Sequence, residues 1–293
     1  MLCDLRDMIE GARQGRFALP CFDVPDVALA AAAMEAAADM DSPVVLHPVR
    51  DAALLMPALQ ALARMTPIPT AMVLTNVADR GDAAEAIRLG VSGLAVANAD
   101  RVHLEAMAQA CAIALLEPPP ARIVSHATPD PGFAWLGGEL AESVSIPVAR
   151  RQDETGRSLR WEEVIETAHK AARARAAAAI GRCGSAGWAE KLMAESRPRR
   201  EVAHVVAYNA DDDVHAMVAE GMAELSRIPG VRQVFAGQAV TKDSRYQHAW
   251  VIRFVGAGVI PYFRDHPAHV RFADERFRPM AADRMTIDFE DER

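Results

Sequence analysis

His266, Pro267, Ala268, His269 and Val270 set two imidazoles three positions apart around a proline, within a stretch, residues 199–293, that holds five of the nine histidines. His204 in VAHVVAYN and His248 in YQHAWVIRF lie inside alternating apolar runs, a pattern that predicts strands. Imidazoles on strands that point one way can converge on a cavity. Histidine titrates near neutrality, so His269 is the candidate general base or acid for a carbon acid beside a carbonyl. His204, His248, Tyr208, Tyr246, Tyr262, Phe263 and His266 are the candidate pocket groups around it. The plainer alternative makes His269 a structural histidine, and His204 and His248 hydrogen-bonded packing groups. Three imidazoles could also ligate zinc or copper. No carboxylate or cysteine stands at a diagnostic spacing beside them, so neither a metal nor another cofactor is expected.

These side chains need elements to hold them, and the chain divides near the RPRR run, residues 197–200, into segments 1–197 and 198–293. In the first, continuously apolar runs at 17–24, 42–49, 69–77 and 91–99 alternate with helical stretches, which predicts a parallel sheet covered on both faces. In the second, the expected order is strand 202–208, helix 212–227, strands 231–240 and 247–254, helix 257–265 and strand 284–289. That β-α-β-β-α-β order is the ferredoxin-like arrangement. Its helices cover one sheet face and leave the other for a partner, so a homodimer through that face is expected.

Composition narrows the function classes. Half of the 293 residues are apolar, which gives two domains enough core. A net charge of −8 offers no basic stripe for phosphates, which argues against nucleic acid and anionic membranes as partners. Cys3, Cys21, Cys111 and Cys183 are scattered without a CxxC spacing, as suits reduced thiols in the cytoplasm. No run approaches the ~18 apolar residues of a membrane span. Gly137–Gly138 and Gly184–Gly187 read as turns and not as a nucleotide fingerprint.

GRFALPCFDVPDV followed by SPVVLHPV, the block IPTAMVLTNVADRGDAAEAIRLGVSGLAVANA and CGSAGWAEKL together resemble the class II, metal-dependent fructose-bisphosphate aldolase family. The resemblance implies a TIM-like (β/α) barrel, here a reduced one, since a full barrel takes ~250 residues. Where that family has His-Leu-Asp-His-Gly, with its catalytic aspartate and a metal ligand, this chain has Val73, Leu74, Thr75, Asn76 and Val77. Losing the ligand and the carboxylate together removes the Lewis-acid and acid–base contributions, so fructose-bisphosphate aldolase activity is not expected. The family's Asp-Gly-Ser becomes Ala97, Asn98 and Ala99, and its glycine-rich phosphate loop survives only as His126 in SHATPD. His47 and His126, each at a strand end, read as relics of a metal site at the barrel mouth or as packed or solvated histidines. Asp23, standing where the family has asparagine, and Asp79, Arg80 and Asp82 read as a new polar pocket or as ordinary solvated loops.

VAHVVAYN, GVRQVFAGQAVTKDSRYQHAWVIRF, YFRDHPAHVRFAD and the closing DF resemble the stress-responsive dimeric α/β barrel (Dabb) family, and within it plant polyketide cyclases of the olivetolic acid cyclase type. By that resemblance His269 takes the place of the cyclase's catalytic histidine, His248 that of a pocket histidine and His204 that of the first-strand histidine. Phe263 stands where the cyclase has a catalytic tyrosine, with Tyr262 beside it. The expected whole is α/β plus α+β: a reduced TIM-like barrel followed by a ferredoxin-like dimeric α/β barrel. Its expected function is a small-molecule enzyme or binder that uses the C-terminal pocket on a polyketide-like or oxo-acid carbonyl compound. The alternatives are a metal-dependent C–C lyase with a rebuilt site in the first barrel, and a non-catalytic dimeric scaffold or ligand sensor.

Overall fold

The computed structural model describes residues 1–75, 77–119, 131–138, 140, 160–210 and 213–291. The chain gathers into two compact units, the first formed by residues 1–76, 91–97 and 114–198, the second by 77–90, 98–113 and 199–293.

In the first unit, strands β1 (Ala18–Val24), β2 (Val44–Pro48), β3 (Thr70–Leu74), β4 (Gly93–Ala95), β5 (Ala114–Leu116) and β6 (Gly132–Leu136) make, among the described residues, a parallel sheet in the order β5-β4-β3-β2-β1-β6. The sheet is curled into a half-barrel, the reduced TIM-like form. β6 lies on the far side of β1, with Ala18 opposite Gly132 and Phe22 opposite Leu136. Helices α1 (Leu5–Gly15), α2 (Val27–Asp39), α3 (Ala52–Met65), α6 (Trp161–Cys183) and α7 (Ala189–Glu195) belong to this unit. Side chains alternate along each strand. Leu19, Cys21, Val45, Ala71, Val73 and Ala114 form one buried cluster with Leu5, Met8, Ile9 and Ala12 of α1, so α1 fills one side of the curl. α2 and α6 pack against each other and against β1. α1 was not expected from the strand runs, yet Asp4 caps it by accepting from the Arg6 amide, and its apolar residues recur at helical spacing.

The strand expected at 91–99 is shorter than its apolar run. β4 stops at Ala95, and α5 (Asn98–Ala110) begins where Asn-Ala-Asp replaces apolar residues with helix-start composition. α5 and α4 (Arg80–Leu89) both belong to the second unit. That unit's sheet runs β10 (Arg284–Glu290), β7 (Val202–Tyr208), β9 (His248–Phe254), β8 (Val231–Gln238), antiparallel throughout. The helices α8 (His215–Leu225), α9 (Val259–Asp265) and α10 (Pro267–Phe272) follow, and the last continues through a π-helical turn at Ala273–Phe277 into a short turn at Arg278–Met280. The expected β-α-β-β-α-β order holds: the helix expected at 257–265 is α9, and α10 with its π-helical turn follows as a helical stretch that was not expected.

Two glycines measure how tightly the first unit is packed. A Cβ on Gly93 would lie 2.6 Å from Leu5 Cδ2 and 2.8 Å from Val73 Cγ1, whereas one on the exposed Gly181 of α6 meets nothing within 4 Å. Gly93→Val is expected to destabilise by ~1–3 kcal/mol through overpacking. Gly181→Ala is expected to stabilise by up to ~1 kcal/mol through helix propensity. The urea-unfolding midpoint reads both changes, one downward and one upward.

Candidate functional site

Period two sorts the second unit's strand residues onto two faces. Val202, His204, Val206 and Tyr208 of β7 share a face with His248, Trp250, Ile252 and Phe254 of β9, since Tyr208 pairs with His248 and His204 with Ile252. This face is buried under the helices, and His204 and His248 lie on it.

His269 owes its position to Pro267. Proline has no amide hydrogen and disfavours helical geometry in the preceding residue, so α9 stops and His266 becomes extended, at φ −68° and ψ 131°. The chain re-enters a helix at once, because proline suits the first helical position and His266 Nδ1 accepts from the Ala268 amide at 3.3 Å. The end of α9 leaves carbonyls without helical partners, and His269 Nδ1 meets that of Arg264 at 2.9 Å. A carbonyl can only accept, so Nδ1 carries the hydrogen and the neutral ring keeps its lone pair on Nε2.

The His269 ring lies 4.5 Å from Phe263, whose other neighbours are Phe254 at 4.9 Å and His204 at 6.2 Å. Burial pushes the His269 pKa down. The Arg264 carbonyl, the next largest influence, raises it, while His204 and Arg278 lower it and Asp274 raises it. His204 Nδ1 lies 2.7 Å from Asp288 Oδ1, a pair built by the β7–β10 register that places Asp288 opposite His204. A carboxylate fixes the same tautomer there, with Nδ1 as donor.

The other sequence candidates fall elsewhere. Tyr208 is 1% exposed and stacks on His248 at 5.3 Å, with Phe277 edge-on at 5.1 Å, held there by the π-helical turn. Burial raises the Tyr208 pKa, so its hydroxyl stays protonated near neutrality. Tyr246 lies in the β8–β9 connection beneath the Arg245 guanidinium. Tyr262 and His266 line an open hollow of about 760 Å³ with Arg80, Pro229, Pro261 and Pro267. Burial, then Arg80, lowers the His266 pKa. The structure thus gathers His204, Phe263 and His269, pairs Tyr208 with His248 and Tyr262 with His266, and leaves Tyr246 in the β8–β9 connection. His126 lies outside the described residues.

Two further groups on this face escaped the sequence reading. Asp288 is visible only through the register. Trp250 stands two residues after His248, and its indole Nε1 is buried with no hydrogen-bond partner among the described residues. An orphaned buried N–H is costly and marks a place where an acceptor belongs. No group of three or more His, Cys, Asp or Glu among the described residues could hold a metal ion. Nor is any helix among them long and apolar enough to cross a membrane.

Residues 202–291 match the family model of the Stress responsive A/B Barrel Domain, or Dabb, so the second unit carries a Dabb domain. Among solved structures, a Mesorhizobium loti dabb family protein with a ferredoxin-like fold is 21% identical over 31% of this chain and 96% of its own, with a TM-score of 0.29. A Coccidioides immitis protein described as a candidate fructose-1,6-biphosphate aldolase is 14% identical over 64% of this chain and 98% of its own, with a TM-score of 0.51. The YdjI aldolase of Escherichia coli K12 is 17% identical over 64% of this chain and 100% of its own, with a TM-score of 0.45. At 14% identity the likeness to the Coccidioides immitis protein is one of fold alone. No curated protein matches the chain in sequence.

Because burial favours the neutral imidazole, His269 is expected to titrate below the ordinary value of about 6.5. Its contribution to stability is then complete above that value and falls away as pH drops toward the lower folded pKa. Side-chain ¹⁵N NMR checks both points, with the neutral ring expected to show hydrogen on Nδ1. A midpoint at or above the ordinary value, or hydrogen on Nε2, contradicts the expectation.

Proposed function

We propose that the Dabb domain is the working part of this protein and that His269 moves a proton to or from a carbon acid beside a carbonyl. The ligand is a small oxo-acid or polyketide-like compound. The observation that carries this reading is the Arg264 carbonyl on His269 Nδ1, which leaves Nε2 as the basic atom. A general base works best when its unprotonated form is populated near neutrality, and burial favours that form of His269. The orphaned Trp250 Nε1–H on the same buried face supports a ligand with an acceptor oxygen. His204, oriented by Asp288, supplies a second imidazole beside Phe263. Phe263 has no hydroxyl, so the acid–base work falls to the histidines.

The opposite sheet face supports self-association as part of the same reading. β10 places Met285, Ile287 and Phe289 beside Ala207, Val205 and Ala203 of β7, while Phe235 of β8 lies opposite Val251 of β9. Phe235 and Phe289 are 53% and 54% exposed. A contiguous apolar strip of this kind on a sheet calls for a partner, and a second copy offers the same strip in return.

Native mass spectrometry of the full chain tests both parts. The expected species is a dimer that retains a small organic ligand, with His269→Ala still dimeric but its ligand occupancy reduced ~10-fold or more. Turnover, once a substrate is found, is expected to fall by ~10² or more, the usual contribution of a positioned acid or base. Unchanged occupancy and turnover in His269→Ala would reject the role given to His269. Paired Phe235→Asp and Ile287→Asp substitutions are expected to give a folded monomer by light scattering, and a persistent dimer would reject the sheet-face interface.

A further inference from the structure

The first unit carries a hydrogen-bonded chain of three side chains at the C-terminal ends of three adjacent parallel strands. Asp23 near the end of β1 accepts from His47 Nδ1 at 2.7 Å, and His47 Nε2 lies 3.1 Å from the hydroxyl of Thr75, the residue after β3. The sheet builds this chain by register. Asp23 pairs directly with His47, and Val45 pairs with Ala71, which puts His47 and Thr75 on the same face as the buried layer of Cys21, Val45 and Val73. The polar trio is thus the layer above an apolar floor. His47 is 6% exposed, whereas Asp23 and Thr75 are only partly buried, so the hydroxyl end is the reachable one. Trp135 of β6 stands edge-on to the His47 ring at 5.6 Å, with Phe133 at 5.0 Å from Trp135, and the two form an aromatic wall beside the trio.

The chemistry follows from what each group can donate. An ionised carboxylate only accepts, so His47 Nδ1 carries a hydrogen, and the neutral ring leaves Nε2 to accept from Thr75 Oγ1–H. Hydroxyl, base and carboxylate then stand in the order that makes a hydroxyl nucleophilic, and that order is recognised by geometry and not by sequence position. Strand ends of this kind are where barrel sheets place their reactive groups.

We propose that Asp23, His47 and Thr75 form an acyl-transfer site in which Thr75 Oγ1 is the nucleophile toward esters of small apolar or aromatic acids. Thr75 Oγ1 attacks the ester carbonyl carbon while its proton passes to His47 Nε2. The bond from that carbon to the alcohol oxygen breaks, and the alcohol leaves with the proton from Nε2. Water then adds to the acyl–Thr75 carbonyl and gives a proton to Nε2. Thr75 Oγ1 leaves and takes that proton back, so ester and water become acid and alcohol with no other reactant. Asp23 holds the ring and stabilises the imidazolium formed in each half. The aromatic wall of Trp135 and Phe133 favours a flat or apolar acyl group.

The test uses the full chain with p-nitrophenyl butyrate, followed by release of p-nitrophenolate and by peptide mass spectrometry. The expected result is an acyl group on Thr75, with labelling lost in Thr75→Val, retained in Thr75→Ser, and slowed ~10² or more in His47→Gln. Thr75→Val keeps the side chain's shape but leaves His47 Nε2 without its partner, so its unfolding midpoint is expected to fall modestly, while Thr75→Ser, which keeps the hydroxyl, controls for that loss. The four cysteines are buried, and burial raises the thiols of Cys3 to about 11 and Cys111 to about 12, so they compete poorly for the acyl group. No acyl group on Thr75 of the unaltered chain, or labelling there that His47→Gln leaves unchanged, would overturn the proposal. In that case the trio is a satisfied polar cluster that only fixes the strand ends.

Discussion

Pro267 cannot continue a hydrogen-bonded helix, and the placement of His269 in the second unit depends on that single missing N–H. The break frees the carbonyls at the end of α9, forces His266 into an extended conformation, and restarts the helix within one residue. Of the freed carbonyls, that of Arg264 takes the His269 Nδ1 hydrogen, which fixes the ring and its tautomer together. A continuous helix would have carried His269 along a regular spiral, with its Arg264 partner consumed by the ladder. Tautomer, ring position and the contact with Phe263 are therefore consequences of one backbone constraint.

The two sheets solve different burial problems, and each leaves a distinct surface as the remainder. In the antiparallel sheet, the helices cover the face of His204, His248 and Trp250 and leave the face of Phe235, Ile287 and Phe289 open. In the parallel sheet, α1 fills the curl with Leu5, Met8, Ile9 and Ala12 up to the level of Cys21, Val45 and Val73. Above that level the same face turns polar, with Asp23, His47 and Thr75 satisfying one another. Buried polar groups are tolerated when paired, and a chain of three pairs better than an isolated imidazole would.

The order of elements was legible because apolar runs report on burial, and burial is decided locally by period. Strand, helix, strand, strand, helix, strand in residues 199–293 appears in the structure with its ends moved by a few residues, as at β8, which stops at Gln238. The strand expected at 91–99 was too long because period two does not mark where an apolar run passes into a helix start. α1 was missed because its apolar face precedes any strand. The histidines of the second unit were legible as a group, but their grouping was not. Three-dimensional placement joins His269 to Phe263 and His204, pairs His248 with Tyr208, and sends Tyr246 to a loop beneath Arg245.

Residue types, their period and the proline at 267 therefore determined the classes of the two folds, the face on which each strand histidine lies and the point where the last helices break. Tertiary structure decided the partners. Asp288 reaches His204 across 84 positions, and Asp23, His47 and Thr75 meet across 24 and 28. Such pairs depend on strand register and on which strands are neighbours, and both are set when whole faces are buried together. The periodicity of a single strand carries no record of the residue that will stand opposite.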